Sequence, residues 1–128
     1  MKDSKEVLNI KKEYELLSTF GKKLWEDVLE NINEIVQEMN LDREQKDALL
    51  QRYMAEIRYH DLEATNKYLA KTGEQNSKKA IMRNKITMER MNEVYLDNYP
   101  PVKDIYKKVD NLMKKKQAQK DKEQKRKN

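Results

Sequence analysis

Between Val7 and Met39 the apolar positions return every three or four residues: Val7, Ile10, Tyr14, Leu17, Gly21, Leu24, Val28, Ile32, Ile35 and Met39. This is one face of a helix. The pattern passes through Gly21 without a change of phase, so the spacing predicts one helix over about residues 4–39 with a local kink at the glycine. At about 1.5 Å per residue it would run on the order of 50 Å, too long to be covered unless other helices lie along it. A two-helix alternative puts Ser18 and Thr19 at the cap of a second helix starting near Gly21. Trp25, Val28, Leu29, Ile32, Val36 and Met39 would then be its apolar face.

Three more segments follow. Asn40 and Leu41 make a tight connection, and Asp42 with Gln45 three residues on has the form of a reciprocal helix N-cap. The helix over 43–71 places Leu49, Leu50, Tyr53, Met54, Ile57, Tyr68 and Leu69 on one face together with His60 and Ala64, and Gly73 is suited to the left-handed position after its end. The short connection makes the first two helices an antiparallel hairpin. Asn76 or Ser77 can cap a third helix over 77–97, with Ala80, Ile81, Met88, Met91, Val94 and Tyr95 inward. Tyr99-Pro100-Pro101 ends it, because proline cannot donate a helix hydrogen bond and restricts the residue before it. Pro101 opens a fourth helix over 101–113 and beyond, striped with Val102, Ile105, Tyr106, Val109, Leu112 and Met113.

Composition changes this picture in one respect: the core must be thin. Leu, Ile, Val and Phe make up 26 of 128 residues and 40% of the chain is charged, close to the range in which chains fail to fold. The regular spacing of the apolar residues argues for folding. Two glycines and two prolines suit long helices and exclude most turn-rich β-architectures. The expected fold is an all-α elongated bundle of about four helices: a helical domain over 1–113 and a basic, partly disordered tail over 114–128. Cysteine is absent, and the N-terminal segment is amphipathic rather than an unbroken apolar run. Disulfides are thereby excluded, no membrane contact is expected, and cytoplasmic residence is the default.

Charge is concentrated at the C-terminal end. Lys114, Lys115, Lys116, Lys120, Lys122, Lys125, Arg126 and Lys127 face only two acids over residues 114–128, with no apolar side chain larger than Ala118. Such a segment is expected to be a frayed helical extension or a disordered tail, with nothing to pack, and its natural partner is a polyanion such as nucleic acid. The long first seam points to self-association, most simply a dimer, or to a helical protein partner. Its side chains would be Ile10, Tyr14, Leu17, Leu24, Trp25, Val28, Ile32 and Ile35.

Residues 77–94 resemble a helix-turn-helix, with a turn at Asn84-Lys85, Thr87 as the second N-cap, and Met91 and Val94 inward. The resemblance implies a sequence-specific DNA-binding regulator reading bases through Arg83, Lys85, Arg90 and Asn92. The turn lacks glycine, Asn84 occupies an expected core position, and Ile81 stands where the motif wants a small residue. One uninterrupted helix is the simpler reading. His60, with Glu56, Asp61 and Glu63 nearby, resembles half of a carboxylate-and-histidine bundle site. The second Glu-x-x-His cluster such a metal-dependent enzyme needs is missing from the sequence. With one histidine, three serines and isolated glycines, neither a catalytic triad nor a phosphate-cradling loop is marked. The expectation is a non-enzymatic interaction or assembly protein without cofactor, metal or small-molecule substrate.

Overall fold

A computed structural model describes residues 8–73 and 77–127; Val7, the start of the expected first seam, and Asn76, a candidate cap, lie outside the described residues. The protein is all-helical. The helices are α1 (Ile10–Leu16), α2 (Thr19–Met39), α3 (Arg43–Thr72), α4 (Ser77–Met91) and α5 (Tyr106–Lys127).

The first seam is two helices, which corrects the single helix expected over 4–39. Leu17 and Ser18 are extended, and the Ser18 hydroxyl accepts from the Gly21 N–H at 3.0 Å, capping α2. A second hydrogen-bond acceptor stabilises the break from a distance. Asp61 on α3 takes the Ser18 N–H on Oδ2 and the Ser18 hydroxyl on Oδ1, each at 2.7 Å. Gly21 makes room for this: a Cβ there would meet the Asp61 carboxylate at 3.1 to 3.2 Å. A caps-plus-carboxylate arrangement at the positive end of α2 outweighs continuation through two residues.

α2 ends at Asn40, whose left-handed backbone (φ 54°) lets the Leu41 N–H return to the Val36 carbonyl at 2.9 Å. α3 starts with the expected reciprocal cap: Gln45 N–H donates to Asp42 Oδ1 at 2.8 Å, and Asp42 N–H donates to Gln45 Oε1 at 3.0 Å. It closes at Gly73 in the left-handed region, as the sequence predicts. α2 and α3 form the antiparallel hairpin. α1 lies on α3, held by two hydrogen bonds between the Leu8 backbone and the Gln51 side chain and by Arg58 to Glu13 at 2.9 Å.

α4 doubles back on the far half of α3, where Asn84 donates to Asn66 at 2.9 Å and Asn66 donates to the Ile81 carbonyl. Its last residues widen into a π-helical turn over Asn92–Leu96, closed by Asp97 N–H to the Asn92 carbonyl at 2.8 Å. A short 3-10 turn, Pro100–Val102, then redirects the chain, so the final helix begins at Tyr106 rather than at Pro101. α5 lies across the α2–α3 hairpin. Trp25, Val28, Ile32 and Ile35 of α2, Leu49, Tyr53, Met54 and Ile57 of α3, and Val109 and Met113 of α5 make one core cluster, with Val102 from the 3-10 turn.

α3 changes its inward face along its length. Its first half packs on α1, α2 and α5 and its second half on α4, so the expected stripe does not continue straight: His60, Ala64 and Tyr68 are exposed. The expected tail is also corrected. α5 runs through residue 113 without a break to Lys127, and its middle packs. Lys116 pairs with Glu38 at 2.6 Å and Glu34 at 3.3 Å, while Gln117 and Lys120 both bond to Asn31, which is fully buried on α2. Polar side chains with long apolar stems cover the hairpin where no hydrophobic residue is available.

Candidate functional site

Helical geometry divides the lysines of α5 into two sets. At 100° per residue, Val109, Met113, Lys116, Gln117 and Lys120 turn toward the hairpin, and Lys108, Lys115, Lys122 and Arg126 fall on the opposite side. These last four are exposed, at intervals of seven, seven and four residues, so successive cations are roughly 6 to 10 Å apart along a ridge of about 27 Å. Lys107, Lys114 and Lys125 flank it and are exposed as well. Of the eight basic residues expected to act together over 114–127, the structure therefore assigns Lys116 and Lys120 to the fold, and Lys114 bonds to Asp110 at 3.0 Å. Lys115, Lys122, Lys125 and Arg126 remain outward, and the side chain of Lys127, the eighth, lies outside the described ones. Sequence reasoning missed Lys107 and Lys108 by assigning them to the packed helix. The seven-residue interval from Lys108 to Lys115 to Lys122 is the signal that joins them.

The other concentration of titratable groups lies where α3 meets α5. Tyr53 donates to Asp110 at 3.0 Å, Tyr106 donates to Glu56 at 3.3 Å, and Arg52 pairs with Glu56 at 2.9 Å while stacking 4.2 Å from the Tyr106 ring centre. Burial, followed by the charge of Asp110 and the adjacent Tyr106, pushes the Tyr53 phenol far above its ordinary range. Burial and Glu56 raise Tyr106 against the opposing effect of Arg52. Both phenols stay protonated near neutral pH. The carboxylates accept from these neighbours, so the cluster ties α5 to α3 through mutually engaged side chains rather than presenting a reactive group.

The expected self-association residues are mostly consumed by the fold, and this corrects the seam reading. Leu17, Trp25, Val28, Ile32 and Ile35 are buried in the chain's own core, and Ile10 and Tyr14 are half-buried against it. Only Leu24, 36% exposed, reaches the surface. The reason is that α3 and α5 together cover the inner face of α2. What α2 leaves open is Phe20 and Leu24, one helical turn apart on its flank, and Leu29.

The helix-turn-helix geometry is absent: α4 is continuous through Asn84 and Lys85, and Asn84 faces Asn66 of α3. The hydrogen bonds from Asn66 and Asn84 satisfy polar groups that a turn would otherwise have to accommodate, and Ile86 is 63% exposed. Arg83, Lys85 and Arg90 are exposed on α4, and Asn92 is exposed at the start of the π-helical turn that follows it. His60 is exposed with its ring 3.5 Å from Glu63, while Glu56 turns to Arg52 and Tyr106. Among the described residues, no three His, Asp or Glu side chains are grouped as metal ligands. No described helix is long and apolar enough to cross a membrane.

Comparison with family models, with curated proteins and with solved structures finds no match to this chain.

Proposed function

We propose that this protein is a non-enzymatic interaction protein that grips a polyanion, nucleic acid first of all, with the outer ridge of α5, and assembles through its remaining exposed helical faces. The observation carrying this reading is the separation of the α5 cations: inward ones bound to α2, outward ones spaced along about 27 Å of continuous helix. Fixing the ridge on a packed helix lowers the ordering cost that a disordered basic tail incurs on binding. Affinity then comes from release of counterions from phosphates and is independent of base sequence.

The test replaces Lys108, Lys115, Lys122 and Arg126 with Gln and follows binding to mixed-sequence DNA and RNA by fluorescence anisotropy over a range of salt. Loss of four phosphate contacts should flatten the slope of log affinity against log salt by roughly 3 units, about 0.7 to 0.9 per contact. Helix content should not change, because all four side chains are exposed. A wild-type slope in the variant, or no binding by the wild type, overturns the reading.

A further inference from the structure

Beside the Phe20–Leu24 flank, α2 and the distal half of α5 enclose an open groove of about 770 Å³. Its apolar floor is Phe20, 71% exposed, and Leu24. Four carboxylates rim it: Asp27 and Glu30 from α2, Asp121 and Glu123 from α5. Two cations, Lys23 and Lys120, share the lining, and the Lys120 ammonium is turned to Asn31. The acid rim is crowded. Partial burial raises the Asp27 carboxyl, Lys23 opposes that effect, and Glu30 and Asp121 add to it.

The outer face of α4 has the reverse character. Met82 and Ile86, 66% and 63% exposed, are one helical turn apart. Lys78, Lys79, Arg83, Lys85 and Arg90 surround them, with Glu89 and Glu93 as the acids on the same side. From Lys78 to Arg90 this face extends about 18 Å, and the groove wall from Phe20 to Glu30 about 15 Å. An apolar pair ringed by cations therefore matches an apolar pair ringed by carboxylates, over a similar length. Both are exposed in one molecule, so neither fills the other within a chain.

We infer that the groove between α2 and α5 receives the outer face of α4 from a second copy of this chain. The contact joins two different patches, so it is head-to-tail and propagates into rings or open chains rather than stopping at a two-fold dimer. It rests on the assembly half of the function proposed above and is independent of the α5 ridge. With two apolar anchors a side and the rest charge, the interface belongs to the weak, salt-sensitive class, with affinity on the order of micromolar.

Two blocked proteins test the inference by sedimentation velocity. Phe20→Lys with Leu24→Lys blocks the groove, and Met82→Glu with Ile86→Glu blocks the α4 face. The wild type should show species larger than a dimer with rising concentration, reduced by high salt, and each blocked protein alone should weaken assembly at least tenfold. An equimolar mixture should form a heterodimer and stop there, because only one intact groove and one intact α4 face remain. Circular dichroism should match the wild type, since Phe20, Met82 and Ile86 are largely exposed. A wild type that stays monomeric at high micromolar concentration overturns the inference, as does a mixture that stays monomeric or a blocked protein that assembles normally. Should the wild type stay monomeric while the α4 variant loses binding to DNA or to anionic vesicles, α4 serves that partner instead. None of the four positions lies on the α5 ridge, so its salt-slope test stands apart from these outcomes.

Discussion

Gly21→Ala should destabilise the wild-type protein and stabilise one in which Asp61 is already Ala. Gly21 lies in the first turn of α2 with ordinary helical backbone, and alanine there is favoured over glycine by up to about 1 kcal/mol from propensity alone. The opposing effect comes from Asp61. An added Cβ meets its Oδ2 at 3.1 Å and its Cγ and Oδ1 at 3.2 Å, so the carboxylate must retreat by a few tenths of an ångström. Retreat stretches the two 2.7 Å bonds from Ser18, charge-assisted contacts worth roughly 1.5 to 3 kcal/mol each when well formed and less where water competes. Losing about half of their combined contribution exceeds the propensity gain, for a net cost of about 1 kcal/mol. In the Asp61→Ala background no carboxylate faces the methyl, and the same substitution should give a gain of about 0.5 to 1 kcal/mol.

Urea unfolding of the four proteins of this cycle, at one pH and with equal m-values, measures the coupling directly. It should be about 1.5 to 2 kcal/mol. Equal effects of Gly21→Ala in both backgrounds would refute the claim that Asp61 holds the α1–α2 break, and with it the explanation of why the first seam is two helices.

Two further substitutions probe groups whose titration the fold shifts. Tyr53 is raised, so the stability it confers is complete below the ordinary phenol pKa of 10 and declines as pH rises above it, because only the unfolded chain ionises there. Tyr53→Phe should cost about 1 kcal/mol at neutral pH for the lost bond to Asp110, and should remove about 1 kcal/mol of the alkaline loss between pH 10 and 11. An unchanged slope in urea titrations between pH 10 and 11 would contradict the assignment. Asp27 is also raised, chiefly by burial, so its ionised form at neutral pH is disfavoured in the folded state and the penalty is absent below the ordinary aspartate value of 3.8. Asp27→Asn should give a small rise in Tm at pH 7, muted by solvent screening, that disappears in acid; a fall in Tm at pH 7 would count against it.

The elements legible in the sequence are those fixed by neighbours in the chain. The Asp42–Gln45 cap, the left-handed Gly73 and the proline stop after Tyr99 depend on residues a few positions apart, and each is found where the pattern places it. The α1–α2 break was not legible, since its stabilising carboxylate comes from Asp61, 43 residues away, and a two-residue interruption leaves the apolar phase nearly intact. The packing of α5 was hidden for a different reason. Hydrophobic pattern reports only apolar contacts, and this one is made by Lys116, Gln117 and Lys120. A trace did exist on the other side. Asn31 lies three residues after Val28 and four before Ile35, in the middle of an apolar stripe, and a buried amide requires hydrogen-bond partners from another element.

That buried amide decides how the role of the basic end must be tested. If 114–127 were a solvated tail, truncation after Met113 would alter polyanion binding and leave the fold untouched. In the structure the same cut removes both partners of Asn31 and both ion pairs of Lys116, and it bares the flank of α2 beside Val28. A buried polar group stripped of its partners costs about 1 to 3 kcal/mol, a large share of what a thin-cored domain of this size holds in reserve. Water entering the exposed site offsets part of it, so a loss of about 1 to 2 kcal/mol in urea unfolding is expected. Weaker nucleic-acid binding after truncation would then mix lost cations with a loosened hairpin. Truncation after Lys120 separates them, because it keeps Lys116, Gln117 and Lys120 and removes Lys122, Lys125 and Arg126 from the outer side. That shorter cut should retain most of the stability and still lower the salt slope by roughly 2 units. If both truncations were equally stable, the contacts of Asn31 would contribute nothing and residues 114–127 would be a solvated extension after all.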